Sequence, residues 1–542
     1  MPPVDSRNGP RFALRGRIVT MDGQDAVLRD GVLYINGGRI DHVLPASAPP
    51  PADYVDVTPV ETAGTAYPGL IELHNHLPYD ILQLWRVPRR FANRSQWGSG
   101  PNPDYRRLVT GPMRILGEDP ESMPAVARYV EAKALINGTT TSQGIALFSN
   151  SGSRRMYRGI VRNVEATDDP ELPEAKTRIA DVEAADARRF LARLQQPHRL
   201  LLHLAEGTDD RARVHFRALE FEPGKWAITE NLVGIHCTPL TAEDFQIMVE
   251  HGGSMVWSPL SNLLLYGKTA DVAAAKAAGT LLGLGSDWSV SGSKGLLGEM
   301  KAAQLTSAAG GAVFTDRELI SMATRNAAKI LRWNQSIGSL SPGFHADIVI
   351  VRGQDGDPYT SLVAARDTDI SLVVINGVAR YGMTAIMEEL TSDTTRLERL
   401  TDHVLADRAL NLHHPDADPA VGDLTLADAT QRLTDALADI PLLASRVEKT
   451  RIARRTEPTP TWRLALDEIA PTGSELRPRL PLPHSSLPSG PVISTVEPAV
   501  SSLHPLTLDA ITASTDTEFL DTLEAESNLP DSFGARLRDL LT

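Results

Sequence analysis

The sequence predicts an α/β protein, a (β/α)8 barrel inserted in a small β-sandwich built from both flanks, with a helical and proline-rich C-terminal extension. Three observations predict it. From about residue 67 to 335, apolar strand-like runs alternate with helical stretches, and this length suits a closed barrel of ~250 residues. Two similar hairpin signals flank that stretch, Val32-Leu33-Tyr34-Ile35-Asn36-Gly37 before it and Leu372-Val373-Val374-Ile375-Asn376-Gly377 after it. Beyond about residue 385 the chain changes character, first to spaced leucines among charges and then to proline and serine. The expected division is therefore 1–66 and 336–385 for the two parts of the sandwich, 67–335 for the barrel, and 386–542 for an extension with no assigned role.

Residues 11 to 45 alternate as strands do, and Asn36-Gly37-Gly38 makes a tight turn because Asn and Gly tolerate positive φ. Ala346-Asp347-Ile348-Val349-Ile350-Val351 is a further strand of the same kind. Within the barrel, helices are expected over Met123 to Ile136, Ala175 to Leu194 and Asp316 to Leu331. The last of these opens on Thr315-Asp316-Arg317-Glu318, whose hydroxyl and carboxylate can satisfy free backbone donors as a capping box. Residues 386 to 456 read as helical, 457 to 505 as an extended arm with Pro481, Pro483, Pro488, Pro491, Pro498 and Pro505, and Asp516 to Leu541 as a closing helix. His413-His414 reads as a solvated pair.

Composition narrows the function. An apolar fraction of 42% and a charged fraction of 23% are those of a globular protein. A net charge of −14 argues against nucleic-acid and anionic-membrane partners, which need a basic face. The one cysteine, Cys237, excludes an internal disulfide and a cysteine-rich zinc site, and reads as a small buried thiol. The first residues, Met1 to Arg7, lack the pattern of a signal peptide, so a cytoplasmic location is expected and the sequons at Asn93 and Asn137 carry no meaning. The expected partner is a small-molecule substrate, with a homo-oligomer left open.

The chemistry is carried by polar residues that each close an apolar run. His74-Asn75-His76 follows Tyr67 to Leu73, and side chains two apart on a strand point the same way, so both imidazoles can reach one ion. His203, in Leu201-Leu202-His203-Leu204-Ala205-Glu206, comes next, then His236 after Leu232 to Ile235, then Asp287 after Leu282 to Ser286. Such an order resembles the amidohydrolase superfamily, within it the cytosine deaminase, guanine deaminase and triazine hydrolase type. The resemblance covers roughly residues 11 to 385.

Three neutral imidazoles, His74, His76 and His203, with the Asp287 carboxylate suit Zn²⁺ or Fe²⁺. The resemblance implies that Asp287 is both ligand and base, and that His236 orients the attacking hydroxide and polarises the attacked group. It also implies that Glu206, in the pattern His203-Leu204-Ala205-Glu206, shuttles a proton to a leaving nitrogen. Binuclear relatives use a strand-four lysine. Here Lys133 and Lys176 are the only lysines between His76 and His203, both expected in helices, which predicts one ion per chain. For the substrate, the stretch from Leu77 to Tyr105 offers Trp85 and Arg86 among other aromatics and arginines, which suits a planar or anionic molecule if it is more than a covering lid. Asn262 in Trp257-Ser258-Pro259-Leu260-Ser261-Asn262 is a third candidate, a substrate contact or a helix cap.

The expected function is a metal-dependent hydrolase of carbon–nitrogen bonds other than peptide bonds, foremost a deaminase of a heterocycle. The alternatives are removal of chloride or an alkylamine, hydrolysis of a cyclic amide, and an inactive barrel serving as a scaffold.

Overall fold

The computed structural model describes residues 10–98, 102–178, 187–401, 403–415, 417–454, 462–466 and 503–542. Two parallel sheets make the barrel. One has three strands, Leu70–Ile71, Thr139–Ser142 and Arg162–Asn163; the other has five, Lys176–Arg178, Leu200–Leu204, Leu232–His236, Ser254–Trp257 and Leu282–Leu284. Backbone bonds join them at both seams. Ala175 N–H donates to Val164 O at 2.8 Å, and Asp287 N–H donates to His74 O at 3.0 Å. The ring of eight strands is thereby closed. At the second seam Gly285 is required, because a Cβ there would lie 2.5 Å from His74 Cβ. Barrels of this kind carry their chemistry at the C-terminal ends of the strands, and His74, His76, His203, His236 and Asp287 all lie at that end.

Strands from both flanks of the barrel share a second sheet of nine strands. Val60–Pro68, which leads into the barrel, pairs antiparallel with Ile348–Arg352, which follows it. Two strands beyond residue 385, Leu397–Arg399 and Arg408–Asn411, extend the same sheet. The stretch expected to be helical from 386 is thus partly sheet, with helices at Leu426–Ala438 and Ile440–Arg454. His414 is buried there rather than solvated.

Three further expectations differ. Residues 176–178 form a strand, paired parallel with Leu200 to Leu202, and a helix is described over Ala187–Leu194, residues 179–186 lying outside the described residues. The alanine- and glutamate-rich sequence favours helix, but the open barrel edge between Asn163 and Leu200 takes these residues as a strand. The helix expected over 316–331 is two, Asp316–Met322 and Arg325–Leu331. Its break has a cause, since Ala323 O accepts from Ile71 N–H of the barrel instead of continuing the helix. The chain likewise ends in two helices, Thr517–Ala525 and Phe533–Leu541. Most of the proline-rich arm, 467–502, and residues 1–9 lie outside the described residues. Among the described residues no helix is long and apolar enough to cross a membrane.

The C-terminal segment is built into the barrel. Asp509 sits between two buried ammonium groups, 2.5 Å from Lys133 Nζ and 2.9 Å from Lys294 Nζ. Burial pulls the Lys133 ammonium below its usual range while Asp509 opposes it. Asp509 N–H donates to Ile81 O, and the Glu526 carboxylate accepts from Val87 N–H, so the segment also grips the loop after the first strand. Removing one partner of a buried ion pair costs about 3–5 kcal/mol, so Asp509→Ala should lower unfolding free energy by about that amount in urea titrations. A loss of ~1 kcal/mol or less, typical of exposed pairs, would show that the contact does not hold the segment down.

Candidate metal centre

The strand ends bring the imidazoles and the carboxylate of the sequence pattern together, all buried. His74 Nε2 lies 3.0 Å and His76 Nε2 3.5 Å from Asp287 Oδ1. His76 Nε2 is 3.3 Å from His203 Nε2. The backbone is forced at these ends, since Ala205, His236 and Asp287 adopt φ of 54°, 67° and 66°. Positive φ in residues other than glycine costs of order 1–3 kcal/mol each and concentrates at functional sites.

The donor set fits a divalent cation. Gln143 Oε1 accepts from Asn75 N–H at 3.0 Å, which fixes its amide, and faces His74 Nδ1 at 3.2 Å. With its proton on Nδ1, a neutral His74 turns a lone pair toward Asp287. Its buried Nε2 lies 3.0 Å from Asp287 Oδ1, and two acceptors so close call for a cation between them, a proton or a metal ion. Burial, then the nearby Arg94 charge, holds His203 well below the usual histidine range, which keeps its imidazole neutral. Burial would raise the Asp287 carboxyl, but the surrounding histidines, His74 foremost, hold it below the usual carboxylate range. Ser261 Oγ donates to its other oxygen at 2.6 Å.

Atoms of His74, His203, His236 and Asp287 all lie within 4.8 Å of one another, a group that includes His236 and leaves out His76. Two ligand quartets can therefore be drawn on distance alone. The contact on the far side of His236 bears on the choice, since Asn262 Nδ2 lies 3.0 Å from His236 Nδ1 and the ring's roles follow from its tautomer. Burial pushes His236 down to about 3, so the ring is neutral. A ring whose Nδ1 accepts carries its proton on Nε2 and has no lone pair there for a metal.

Glu206 stands beside this cluster. Its Oε1 accepts from Tyr266 Oη at 2.7 Å, and its Oε2 lies 3.9 Å from His236 Nε2 and 3.6 Å from Arg94 Nη1. Trp97 Nε1 donates to Tyr266 Oη at 2.8 Å. Burial first and Glu206 second hold the Tyr266 phenol well above its usual range, so it stays a donor. Trp97 and Tyr105 also pack on Trp288, and Trp288 on His76, an aromatic wall beside the histidines.

The expected substrate contacts fare unevenly. Trp85 is buried between Phe91 and Tyr105, and Arg86 is exposed, its charge acting on Glu526. Neither is among the groups around the cluster, whereas Arg94 of the same loop is. Asn262 is fully buried and engaged by His236 and Thr269. Gln143, Ser261, Tyr266 and Trp288 were not singled out from sequence, because nothing local to them announces partners far along the chain. Lys133 lies in the helix Ser122–Ile136 with its ammonium on Asp509. Lys176 is not helical but opens a strand, at the end away from the cluster, 3.2 Å from Glu174.

The chain is similar to several known proteins. The amidohydrolase family model matches residues 202–380. A 5-methylthioadenosine/S-adenosylhomocysteine deaminase of Desulforamulus reducens is 25% identical over 411 residues, 68% of this chain and 92% of that protein. Its namesake in Moorella thermoacetica is 25% identical over 65% of this chain and 90% of its own. Among solved structures, a zinc-bound adenosine deaminase from Xanthomonas campestris aligns with a TM-score of 0.50 at 18% identity, covering 81% of this chain and 98% of that one. An atrazine chlorohydrolase of Arthrobacter aurescens complexed with zinc aligns with a TM-score of 0.50 at 20% identity, covering 68% and 94%. These two likenesses concern the fold. Over residues 202–380 the chain is similar to the amidohydrolase family, and that match, with the deaminase-named relatives and the histidine and aspartate cluster, supports a metal-dependent hydrolase.

Proposed function

We propose that the protein is a hydrolytic deaminase that releases ammonia from the C–NH₂ of a planar heterocycle. The observation that carries this reading is Glu206, a carboxylate held by Tyr266 on one oxygen and turned on the other toward His236. A leaving nitrogen needs a proton, and Glu206 Oε2 is placed to bring it. The likeness to proteins named as deaminases of an adenine nucleoside and of S-adenosylhomocysteine supports the same class.

In this reading His74, His76, His203 and Asp287 hold one divalent ion, zinc or iron. When bound, it supplies hydroxide near neutral pH, by lowering the pKa of water from 15.7 to about 7. Asp287 would take the proton that such a water gives up. His236 Nε2–H donates to the group under attack and orients it. Glu206 Oε2 carries a proton to the departing nitrogen, and Tyr266 keeps that carboxylate from rotating away. Trp288, with Trp97 and Tyr105 behind it, packs on His76 and makes this side of the site aromatic.

The test pairs two measurements on the purified protein. Metal analysis should find about one zinc or iron per chain, as a mononuclear site requires. A screen of aminated purines, pyrimidines and triazines should find at least one that releases ammonia in step with ring product. Stoichiometric metal with no ammonia from any ring would overturn deamination and favour another leaving group.

A further inference from the structure

Asn262 lies on the helix Pro259–Tyr266, which starts directly after the seventh barrel strand. Proline at its first position and Gly267 at its end, with φ 66°, bound it in two turns. Three of its side chains reach the site: Ser261 on Asp287, Asn262 on His236 and Tyr266 on Glu206. Ser261 and Tyr266 each donate to a carboxylate. Asn262 meets an imidazole, whose two nitrogens exchange roles according to what the neighbour offers.

We propose that Asn262 is a positioning residue that fixes the tautomer of His236, keeping its proton on Nε2 and therefore in the reacting site. The inference rests on the role given to His236 above and names what enforces it. An amide offers a donor from one end and an acceptor from the other, so Asn262 fixes the ring only if it is itself fixed. Thr269 fixes it. Trp257 Nε1 donates to Thr269 Oγ1 at 2.8 Å, and an indole N–H can only donate. Thr269 Oγ1 in turn donates to Asn262 Oδ1 at 3.1 Å. With the oxygen so occupied, Nδ2 faces His236 Nδ1 at 3.0 Å and donates to it. The bonds run in one direction, from Trp257 through Thr269 and Asn262 to His236. Asn262 is fully buried and His236 is 1% exposed, so bulk water does not compete for the bond between them, while Thr269 is partly exposed.

The consequence concerns what His236 can do. With a proton on Nε2 it is a donor toward substrate and not a metal ligand. Inverting the amide would invert the ring, giving a lone pair at Nε2 that competes for the ion.

Asn262→Asp keeps the size and reverses the polarity, because a carboxylate accepts from Nδ1–H. A wrong-tautomer histidine in a comparable relay lowers turnover by as much as ~10⁴-fold, and a fall of about 10²- to 10⁴-fold in kcat is expected here with KM changed far less. Thr269→Val removes the orienting hydroxyl without adding charge, and kcat should fall by about tenfold, one hydrogen bond's worth. The decisive readout needs no substrate. In protein labelled with ¹⁵N-histidine, the His236 resonance, identified by its loss in His236→Asn, should show Nε2 protonated and Nδ1 bare. Asn262→Asp should exchange the two. Nδ1 protonated in the unaltered protein overturns the proposal, as does full turnover in Asn262→Asp. Because the resonance is read without turnover, a failure to find any deaminated ring sinks the proposed function and leaves this inference to be judged by the spectrum.

Discussion

His74→Ala and His76→Ala should each leave the protein folded, with metal content falling from about one ion per chain to a small fraction of that and turnover abolished. The two are not equivalent in cause. His74 Nε2 is buried 3.0 Å from Asp287 Oδ1, so its loss removes one side of the site. His76 reaches Asp287 and His203 from the other side, 3.5 Å and 3.3 Å away. Gln143→Leu should be milder, since partners that orient a metal-bound histidine typically change affinity by about 10–100-fold. Metal per chain after dialysis against a weak chelator, followed by turnover with excess zinc, checks all three. His76→Ala with full metal and His236→Ala without it would move the ligand role from His76 to His236. Full activity in either His74→Ala or His76→Ala would end the metal assignment.

The parts of this centre differ in how far they could be read from sequence. The histidines and Asp287 each close an apolar run, and a strand end in a barrel points its side chain into one common mouth, so local pattern and global place coincide. Glu206 was legible for a related reason, its spacing of three from His203. Asn262 was visible only as two alternatives, substrate contact or helix cap, and the structure presents a third arrangement, with its amide inserted between Thr269 and His236. Tyr266 was not legible at all. Its hydroxyl meets Glu206 across 60 positions and Trp97 across 169, and no periodicity records such distances. The same holds for Asp509, 376 positions from Lys133. Helix propensity misread residues 176–178 because the barrel closure that claims them is a long-range demand. Charge without context also misled, since Arg86 and Arg94 look alike in the loop, and only the second lies beside Glu206.

Glu206→Gln should keep shape and metal while turnover falls, and this separates proton transfer from ligand binding. Glutamine retains an oxygen for Tyr266 and cannot carry a proton between water and leaving group. General acid–base groups contribute typically ~10²–10⁴-fold, so kcat should drop by about that factor with metal near one per chain. Tyr266→Phe should do less, because it removes the bond that steadies Glu206 and leaves the carboxylate in place. Asp287→Asn should differ from both: it weakens a ligand and removes a base together, so lost turnover comes with lost metal. The sharper test compares two substrates of one ring, one losing an amine and one a group such as chloride that departs without a proton. Glu206→Gln should damage the amine reaction far more, since only that departure waits on protonation. Equal damage to both would make Glu206 a binding residue, and loss of metal would make it a ligand or a structural support. Either outcome removes the chief reason for reading this centre as a deaminase and returns weight to hydrolysis of a better leaving group.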